Sequence, residues 1–318
     1  MFVLGLLSRE HMYIEGPPGV AKTMIAEIAS ASTSLSSFFY QMHRDTRLNE
    51  LIGESVIVRT DIPDVGEQIK HSVIKGGILT CEIAVLDDIS RAPGEALNVL
   101  LRILQERKFG SMSSEKIPLM SAIATGNPVS EDGYYGDPLD PATLDRFTLQ
   151  LQSTGLVSSG SWDQAASVID LYSGPRTIDD EPIINTIKRS TIIEASELVP
   201  LVLFPEDSKR VLLKLLQVLR NEYGCTEDNA LLTDRTFLVK AVTIMKANAI
   251  SKGRHICEPM DLTVLRYMTT FRVPHHVHAQ IDAIIAQVLQ EESQRTENQN
   301  DTDNPDQNKG EDGNGNGQ

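Results

Sequence analysis

Little in this chain suits a membrane or an extracellular setting. No apolar run in its 318 residues approaches the ~18 residues that a membrane-spanning helix needs. The apolar start, residues 1–7, lacks a basic leader and a small-residue cleavage site, so we expect a core-packed helix rather than a signal peptide. The three cysteines, Cys81, Cys225 and Cys257, form no paired motif. Free, mostly buried thiols suit a reducing compartment, and we expect a cytoplasmic protein.

Basic residues are also scarce. The chain holds 29 Lys and Arg against 44 Asp and Glu, which gives a net charge of −15. Residues 291–318 carry eight of the acids and two of the bases, so the rest of the chain still carries −9. A broad nucleic-acid footprint needs clustered lysine and arginine, so the charge argues against nucleic acid as a partner, although a narrow basic pore is compatible with it.

Residues 291–318 contain no aliphatic or aromatic side chain. Such a segment cannot bury apolar surface to offset the entropy of its own ordering. We therefore predict a disordered acidic tail over 291–318, with an acidic docking tail as the functional alternative.

The motif that says most about function is Gly16-Pro17-Pro18-Gly19-Val20-Ala21-Lys22-Thr23. It lies between an apolar run and a helical pattern, which is the context of a phosphate-binding loop; the alternative is an ordinary Gly/Pro-rich turn. Lys22 would reach the β- and γ-phosphates of a nucleotide, and the Thr23 hydroxyl would ligate Mg²⁺. Ala21 replaces the second glycine of the general pattern. We expect binding to survive this change because alanine tolerates a helix start.

Two secondary-structure patterns in the sequence divide the chain into two parts. From residue 1 to about 151, apolar strands alternate with helices, which predicts an α/β fold with a mainly parallel sheet covered by helices. The predicted strands are 12–15, 38–42, 83–86, 120–125 and 147–151. A Ser-, Thr- and Gly-rich linker over 152–161 leads into a wholly helical segment. We predict a nucleotide-binding core over 1–155, a small helical domain over 156–290 and the tail over 291–318.

A second motif follows the loop, because the apolar run 83–86 ends in Asp87 and Asp88. Asp87 would hold Mg²⁺ through its water shell. Asp88 would polarise the attacking water, a position that most ring ATPases fill with glutamate. Aspartate is one methylene shorter, so we expect slower hydrolysis rather than none. The alternative is that both acids simply cap the next helix.

Three more residues are candidates for catalysis. Asn127, after the strand 120–125, would orient the water or touch the γ-phosphate. Arg146, at the predicted start of the last strand, would reach a neighbouring subunit's nucleotide, a role worth roughly 10³–10⁵ in rate. Arg235 would contact the γ-phosphate from a helix that Asp234 caps. The alternatives are a turn asparagine, an Asp–Arg surface ion pair and an ordinary first-turn arginine.

These motifs, in this order, resemble an AAA+ ATPase of the MoxR group, and most closely its RavA branch. The resemblance covers about residues 7–285. It is carried by the 16–23 loop and by Leu86-Asp87-Asp88-Ile89-Ser90-Arg91-Ala92, Ala124-Thr125-Gly126-Asn127-Pro128, Leu144-Asp145-Arg146-Phe147 and Thr233-Asp234-Arg235.

The resemblance implies a three-layer αβα P-loop core with a parallel five-stranded sheet, a helical lid, and ATP with Mg²⁺ as cofactors. It also implies a homo-hexameric ring with ATP sites between subunits. Such rings act as chaperone-like motors that remodel or mature protein partners, often ones with von Willebrand factor A domains. Two hairpins, 51–79 with arms 54–58 and 68–74 and another at about 108–119, should face the pore and grip substrate.

Three departures qualify the resemblance. Asp88 replaces glutamate, and we expect neither the upstream helix that usually helps to enclose the adenine nor a further folded domain after the lid. The first departure leaves an alternative function, that of a nucleotide-gated scaffold that barely hydrolyses ATP. A metal-chelatase motor subunit shares the motif order, and a helicase would find support in Lys70, His71 and Lys75. A metal site at His275-His276-Val277-His278 is weakly indicated, because no cysteine or acid lies at ligand spacing.

Overall fold

The computed structural model describes residues 1–62, 66–110, 115–128, 139–173, 186–232 and 235–302. Its strands are β1 Met12–Glu15, β2 Ser37–Gln41, β3 Gly53–Ile62, β4 Gly66–Lys75, β5 Ile83–Asp87, β6 Lys108–Phe109, β7 Glu115–Lys116, β8 Ser121–Gly126 and β9 Leu149–Gln152. Its helices are α1 Phe2–Ser8, α2 Lys22–Ala31, α3 Leu48–Ile52, α4 Gly94–Glu106, α5 Pro141–Arg146, α6 Trp162–Ser173, α7 Arg189–Leu198, α8 Glu206–Asn221, α9 Arg235–Ser251, α10 Arg266–Thr269, α11 His275–His278 and α12 Ile281–Thr302. Within these ranges, no helix is long and apolar enough to cross a membrane.

A parallel five-stranded sheet with the order β2-β5-β8-β1-β9 forms the N-terminal core, as predicted. The central strands β5 and β8 are buried along their whole length, which explains their continuous apolar runs. Alternate side chains point to opposite faces of the sheet. Ile83 and Val85 join the core that contains α1 and α2, whereas Ala84 and Leu86 join the core that contains α3 and α4. The three-layer αβα arrangement is therefore confirmed.

Both predicted hairpins are present in the described residues. Strands β3 and β4 pair antiparallel from Gly53↔Lys75 to Ile62↔Gly66, and β6 pairs with β7. Ile57, Ile69 and Ile74 on the longer hairpin are 56–60% exposed. The turn of the shorter hairpin lies outside the described residues, and the pore-facing role of both remains a prediction.

The C-terminal part is helical, with α8, α9 and α12 built around one apolar core. Helix α1 packs against α9 and α7, and its Leu4, Leu6 and Leu7 are buried, so the core-packed helix expected at the start of the chain is confirmed. The three cysteines are buried and unpaired with one another.

The predicted tail begins too early. Helix α12 continues to Thr302, so the prediction of disorder from residue 291 is wrong for 291–302, and residues 303–318 lie outside the described part. Glu291 lies 3.2 Å from Lys214 and Glu292 lies 2.7 Å from Arg210, which ties the extension of α12 to α8. These ion pairs between α8 and α12 hold residues 291 and 292 in the helix, and a prediction based only on the lack of apolar residues cannot detect them.

Candidate nucleotide-binding site

The central strands place the three predicted motifs at one edge of the sheet. Strands β1, β5 and β8 are neighbours and parallel, so their carboxyl ends meet. Clefts at the carboxyl ends of strands are the usual ligand sites of such sheets. The loop 16–23 follows β1, Asp88 follows β5 and Asn127 follows β8. The backbone N–H of Gly16 donates to the carbonyl of Gly126 at 3.3 Å, which fastens the loop to β8.

The loop contains two left-handed positions before helix α2 begins at Lys22. Gly19 has φ +84°, where glycine avoids a steric penalty. Ala21 has φ +60° and ψ +27°, so it precedes the helix in a left-handed conformation rather than starting it in a helical one. This conformation costs an L-residue about 1–2 kcal/mol, which explains why glycine is the general choice here. The expectation that Ala21 suits a helix start was wrong about the backbone, while nucleotide binding stays a prediction.

Lys22 is buried and fully engaged. Its Nζ donates to the carbonyls of Gly16 at 2.7 Å and Pro17 at 2.9 Å, and to Oδ1 of Asn127 at 3.0 Å. Burial lowers the pKa of Lys22, and the carboxylates of Asp88, Asp87 and Glu15 oppose this shift. The ammonium is thus held above the loop and joined to the end of β8.

Thr23 and Asp87, the two predicted Mg²⁺ residues, are hydrogen-bonded to each other. Thr23 Oγ1 donates to Asp87 Oδ1 at 2.7 Å, and Thr125 Oγ1 donates to the same oxygen at 2.6 Å. Asp87 is only 5% exposed. A hydroxyl and a carboxylate are oxygen donors of the kind Mg²⁺ prefers, with water and phosphate oxygens completing the set. The residues present therefore fit the ion.

Asp88 has an unusual backbone with a clear cause. Its φ is +52°, a region that aspartate and asparagine enter more readily than other non-glycine residues. The backbone N–H of Asp88 donates to Thr125 Oγ1 at 3.0 Å, and the N–H of Arg91 donates to the carbonyl of Asp88 at 2.9 Å. The carboxylate accepts from Asn127 Nδ2 at 2.9 Å and lies 3.4 Å from Arg91 Nε. Two side chains thus orient it toward the loop.

These residues surround a cavity of about 480 Å³, within the range typical of small-molecule sites. Its lining consists of Pro18, Gly19, Ala21, Lys22, Thr23, Met24, Gln41, Asp87, Asp88, Arg91 and Asn127. Residues predicted to bind phosphate, to bind the metal ion and to act in catalysis therefore line the same cavity.

Two predicted catalytic residues are absent from this lining. Arg146 is the last residue of α5, not the start of the last strand, and its Nη1 donates to the Ala142 carbonyl. Arg235 is the exposed first residue of α9. Thr233 and Asp234 lie outside the described residues, so the predicted cap does too. The roles of Arg146 and Arg235 remain predictions.

Sequence reasoning missed several members of the site. Thr125 holds both Asp87 and the Asp88 backbone, while Gln41 and Arg91 line the cavity. Tyr13 donates its hydroxyl to Glu15 Oε1 at 3.4 Å directly below the loop, and burial raises the pKa of Glu15. A polar residue near the end of an apolar strand was the available signal for Thr125. No local signal marks Gln41.

The histidines over 275–278 are not gathered into a site. His278 Nδ1 lies 3.1 Å from Thr269 Oγ1, and burial lowers the pKa of His278. The described residues contain no group of three or more His, Cys, Asp or Glu that could hold a metal ion.

Comparison with known proteins gives two family matches and several similar chains. The AAA domain of the dynein-related subfamily matches residues 11–147, which include the whole lining of the cavity, and an AAA lid domain matches residues 211–272. Chaperone MoxR1 of Mycobacterium tuberculosis is 31% identical over 152 residues, which cover 47% of this chain and 37% of that protein.

An uncharacterized protein of Methanocaldococcus jannaschii is 25% identical over 264 residues, 83% of this chain and 63% of the relative, so the chain spans less than two thirds of that protein. A candidate ATPase from Cytophaga hutchinsonii, known from its crystal structure, superposes with a TM-score of 0.64 at 20% identity over 91% of this chain and 86% of that one, which shows the shared fold. The AAA domain and AAA lid matches show that this chain belongs to the AAA+ family of P-loop ATPases, and part of it is similar to Chaperone MoxR1.

Proposed function

We propose that the chain binds ATP with Mg²⁺ at the 16–23 loop, hydrolyses it, and uses the cycle to remodel or mature a protein partner. The observation that carries the proposal is the chain of hydrogen bonds from Lys22 through Asn127 to Asp88, at 3.0 and 2.9 Å. It links the phosphate-binding ammonium to the carboxylate that would activate water.

In this mechanism the oxygen of the attacking water bonds to the γ-phosphorus, and Asp88 accepts a proton from that water. The bond between that phosphorus and the β-phosphate oxygen breaks, and ADP leaves. Asn127 orients the water, and Lys22 stabilises negative charge on the phosphates. Thr23 and Asp87 would hold Mg²⁺, which when bound neutralises charge on the β- and γ-phosphate oxygens.

We also propose a ring, a homo-hexamer, in which Arg146 acts on the nucleotide of the neighbouring subunit. Arg146 lies outside the cavity lining of its own chain, which is consistent with action in trans. The hairpin β3–β4 presents exposed Ile57, Ile69 and Ile74, apolar side chains suited to gripping a protein chain. The similarity to a protein named a chaperone supports a protein partner, and a von Willebrand factor A domain is the partner type that we propose.

A nucleotide-gated scaffold with weak hydrolysis is the second candidate. Asp88 favours it, since its short carboxylate is already shared between Asn127 and Arg91. Both candidates require ATP binding, and they differ in turnover.

Calorimetric ATP titration of the full chain with Mg²⁺ tests the shared step, with steady-state turnover and sedimentation velocity on the same samples. Lys22→Met should abolish binding. The matched control is Lys246→Met. In the wild type, Lys246 Nζ donates to the Pro200 carbonyl in the lid, and the variant should bind ATP normally. Equal ATP affinity in Lys22→Met and wild type would refute the site. Binding with an ATP-induced hexamer but negligible turnover would favour the scaffold.

A further inference from the structure

Three consecutive lid residues contact the core: two bind the edge strand of its sheet and the third binds helix α5. Thr270 Oγ1 donates to the carbonyl of Gln150 at 2.8 Å, and the backbone N–H of Phe271 donates to Oε1 of the same residue at 3.1 Å. Gln150 lies in β9 and is fully buried. The Phe271 ring also meets the Tyr13 ring edge-on, with centroids 5.9 Å apart. The lid is thus fixed to the strand next to the one that leads into the phosphate loop.

The third residue, Arg272, reaches beyond the sheet to helix α5. Its Nη1 lies 2.6 Å from Oδ1 of Asp145, and its Nη2 donates to the Asp145 carbonyl at 3.2 Å. The Arg272 side chain is 1% exposed. A guanidinium this deeply buried needs a charged partner, and Asp145 supplies it.

A second lid cation holds the same residue. Lys240 of α9 donates from Nζ to the Asp145 carbonyl at 3.0 Å. That carbonyl belongs to the last turn of α5, where carbonyl groups have no partner within the helix. Helix α9, through Lys240, and the lid segment 270–272, through Arg272, therefore converge on one residue of the core, Asp145.

Asp145 immediately precedes Arg146. The Arg146 side chain folds back along α5 toward the Ala142 carbonyl, and its buried Nε has no hydrogen-bond partner among the described residues. The buried Nε of Arg146 is thus unsatisfied in this position, which costs free energy. Where Arg146 points depends on the last turn of α5, which the lid cations hold.

We propose that Arg272 and Lys240 form a latch on Asp145 that sets the position of Arg146, so that the lid of one subunit controls ATP turnover in its neighbour. This role rests on the proposed function, in which Arg146 acts in trans. Arg272, Lys240 and Asp145 are positioning residues, and Arg146 is the group that touches the nucleotide. Breaking the latch should lower the neighbour's turnover while leaving ATP affinity in the subunit's own site unchanged.

Asp145→Asn tests the latch because the substitution preserves side-chain shape and removes the charge that pairs with Arg272, at a side chain that is 32% exposed. Displacing a catalytic group by about 1 Å can cost roughly 100-fold in rate, so we expect kcat of the full chain to fall about 10- to 100-fold with KM for ATP little changed. Arg210→Met breaks the 2.7 Å ion pair with Glu292 inside the lid and should keep wild-type turnover.

Subunit mixing separates action in trans from a general structural defect. Lys22→Met subunits cannot turn over ATP themselves but supply an intact Arg146. Mixed with Arg146→Ala subunits, they should restore turnover per ATP-competent subunit, which tests the proposed function. Mixed with Asp145→Asn subunits, they should restore turnover in the same way, because the defect lies in the arginine that a neighbour receives.

Recovery for Arg146→Ala but not for Asp145→Asn would overturn the latch and leave the arginine finger standing. Wild-type kcat in Asp145→Asn alone would overturn the latch as well. Absence of recovery for Arg146→Ala would remove the finger, and the latch with it.

Discussion

Asn127 joins Asp88 to the phosphate loop, since its Nδ2 donates to Asp88 Oδ1 at 2.9 Å while its Oδ1 accepts from Lys22 at 3.0 Å. One amide therefore couples the position of the ammonium to that of the carboxylate. Phosphate binding must draw Lys22 from at least one of its three protein acceptors, and Asn127 is the only side chain among them. Through a single residue, nucleotide binding can in this way reach the carboxylate that we propose activates water.

Asn127→Ala should lower kcat about 100-fold and change ATP affinity little, because it removes the group that orients Asp88 and the water. Steady-state kinetics with parallel ATP titration would measure both effects. Gln41→Ala, which alters a cavity-lining residue outside the chain of hydrogen bonds from Lys22 to Asp88, is the control and should lose far less turnover. A loss of affinity in Asn127→Ala with kcat intact would contradict the assignment.

Ala21→Gly should stabilise the protein. The substitution relieves the left-handed strain at φ +60°, worth about 1–2 kcal/mol, and gives back about 0.4–1 kcal/mol through a more flexible unfolded chain. We expect a net gain of zero to about 1.6 kcal/mol in the free energy of unfolding, with ATP binding retained. Chemical denaturation measures it. Ala29→Gly, in the interior of α2, should instead lower the free energy of unfolding by about 1 kcal/mol. Equal losses of stability in both variants would contradict the claim that the backbone of Ala21 is strained.

His11 should make the protein sensitive to acid. Its Nε2 donates to the Leu104 carbonyl at 2.9 Å and its Nδ1 accepts from the Ala122 N–H at 3.0 Å, so the neutral ring is fully bonded. Burial above all, with help from the charge of Arg107, lowers the pKa of His11 to about 3. The unfolded chain binds a proton near pH 6.5 that the folded chain does not. The stabilisation is therefore complete above pH 6.5 and is lost as pH falls toward 3.

The free energy of unfolding should fall by about 1.4 kcal/mol per pH unit from this group alone. Denaturation between pH 6.5 and 5 would measure the slope, because this window lies between the pKa of His11 in the unfolded chain, 6.5, and its pKa in the folded chain, about 3. His11→Gln should reduce the slope by about one proton, whereas the exposed His276→Gln should keep it. An unchanged slope in His11→Gln would contradict the account.

The sheet and the loop could be predicted because their signals are local. Each predicted strand of the sheet lies within two residues of its observed bounds, since continuous apolar runs mark strands buried on both faces. The site could be assembled in outline because the motifs follow neighbouring parallel strands. The left-handed backbone of Asp88 could not be predicted, as nothing in its neighbours demands it, whereas at Ala21 the glycine of the general pattern was the available signal.

The remaining differences arise from contacts between distant segments. Arg272 meets Asp145 across 127 positions, and the acids at 291 and 292 are anchored by α8. The position of Arg146 had a local signal that was overlooked. Asp140 accepts from the Thr143 N–H at 2.9 Å as an N-cap and Pro141 follows it, which is a helix start rather than a loop before a strand.

Asp88→Glu addresses the missing methylene directly. Glutamate fits the left-handed backbone at φ +52° less well than aspartate, so we expect a small loss of thermal stability. The longer carboxylate should reach the attacking water and raise kcat. A rise from a near-zero wild-type rate would favour the scaffold, whereas a lower kcat would show that aspartate is the better fit in this site.

ATP turnover in Asp88→Asn is the most direct test of the central claim, that this loop hydrolyses ATP through Asp88. Asparagine adopts the same left-handed conformation and preserves shape, so folding and calorimetric ATP affinity should match the wild type. Loss of the proton acceptor should lower kcat by about 10²–10⁴-fold. Wild-type turnover in a folded, ATP-binding Asp88→Asn protein would contradict the claim.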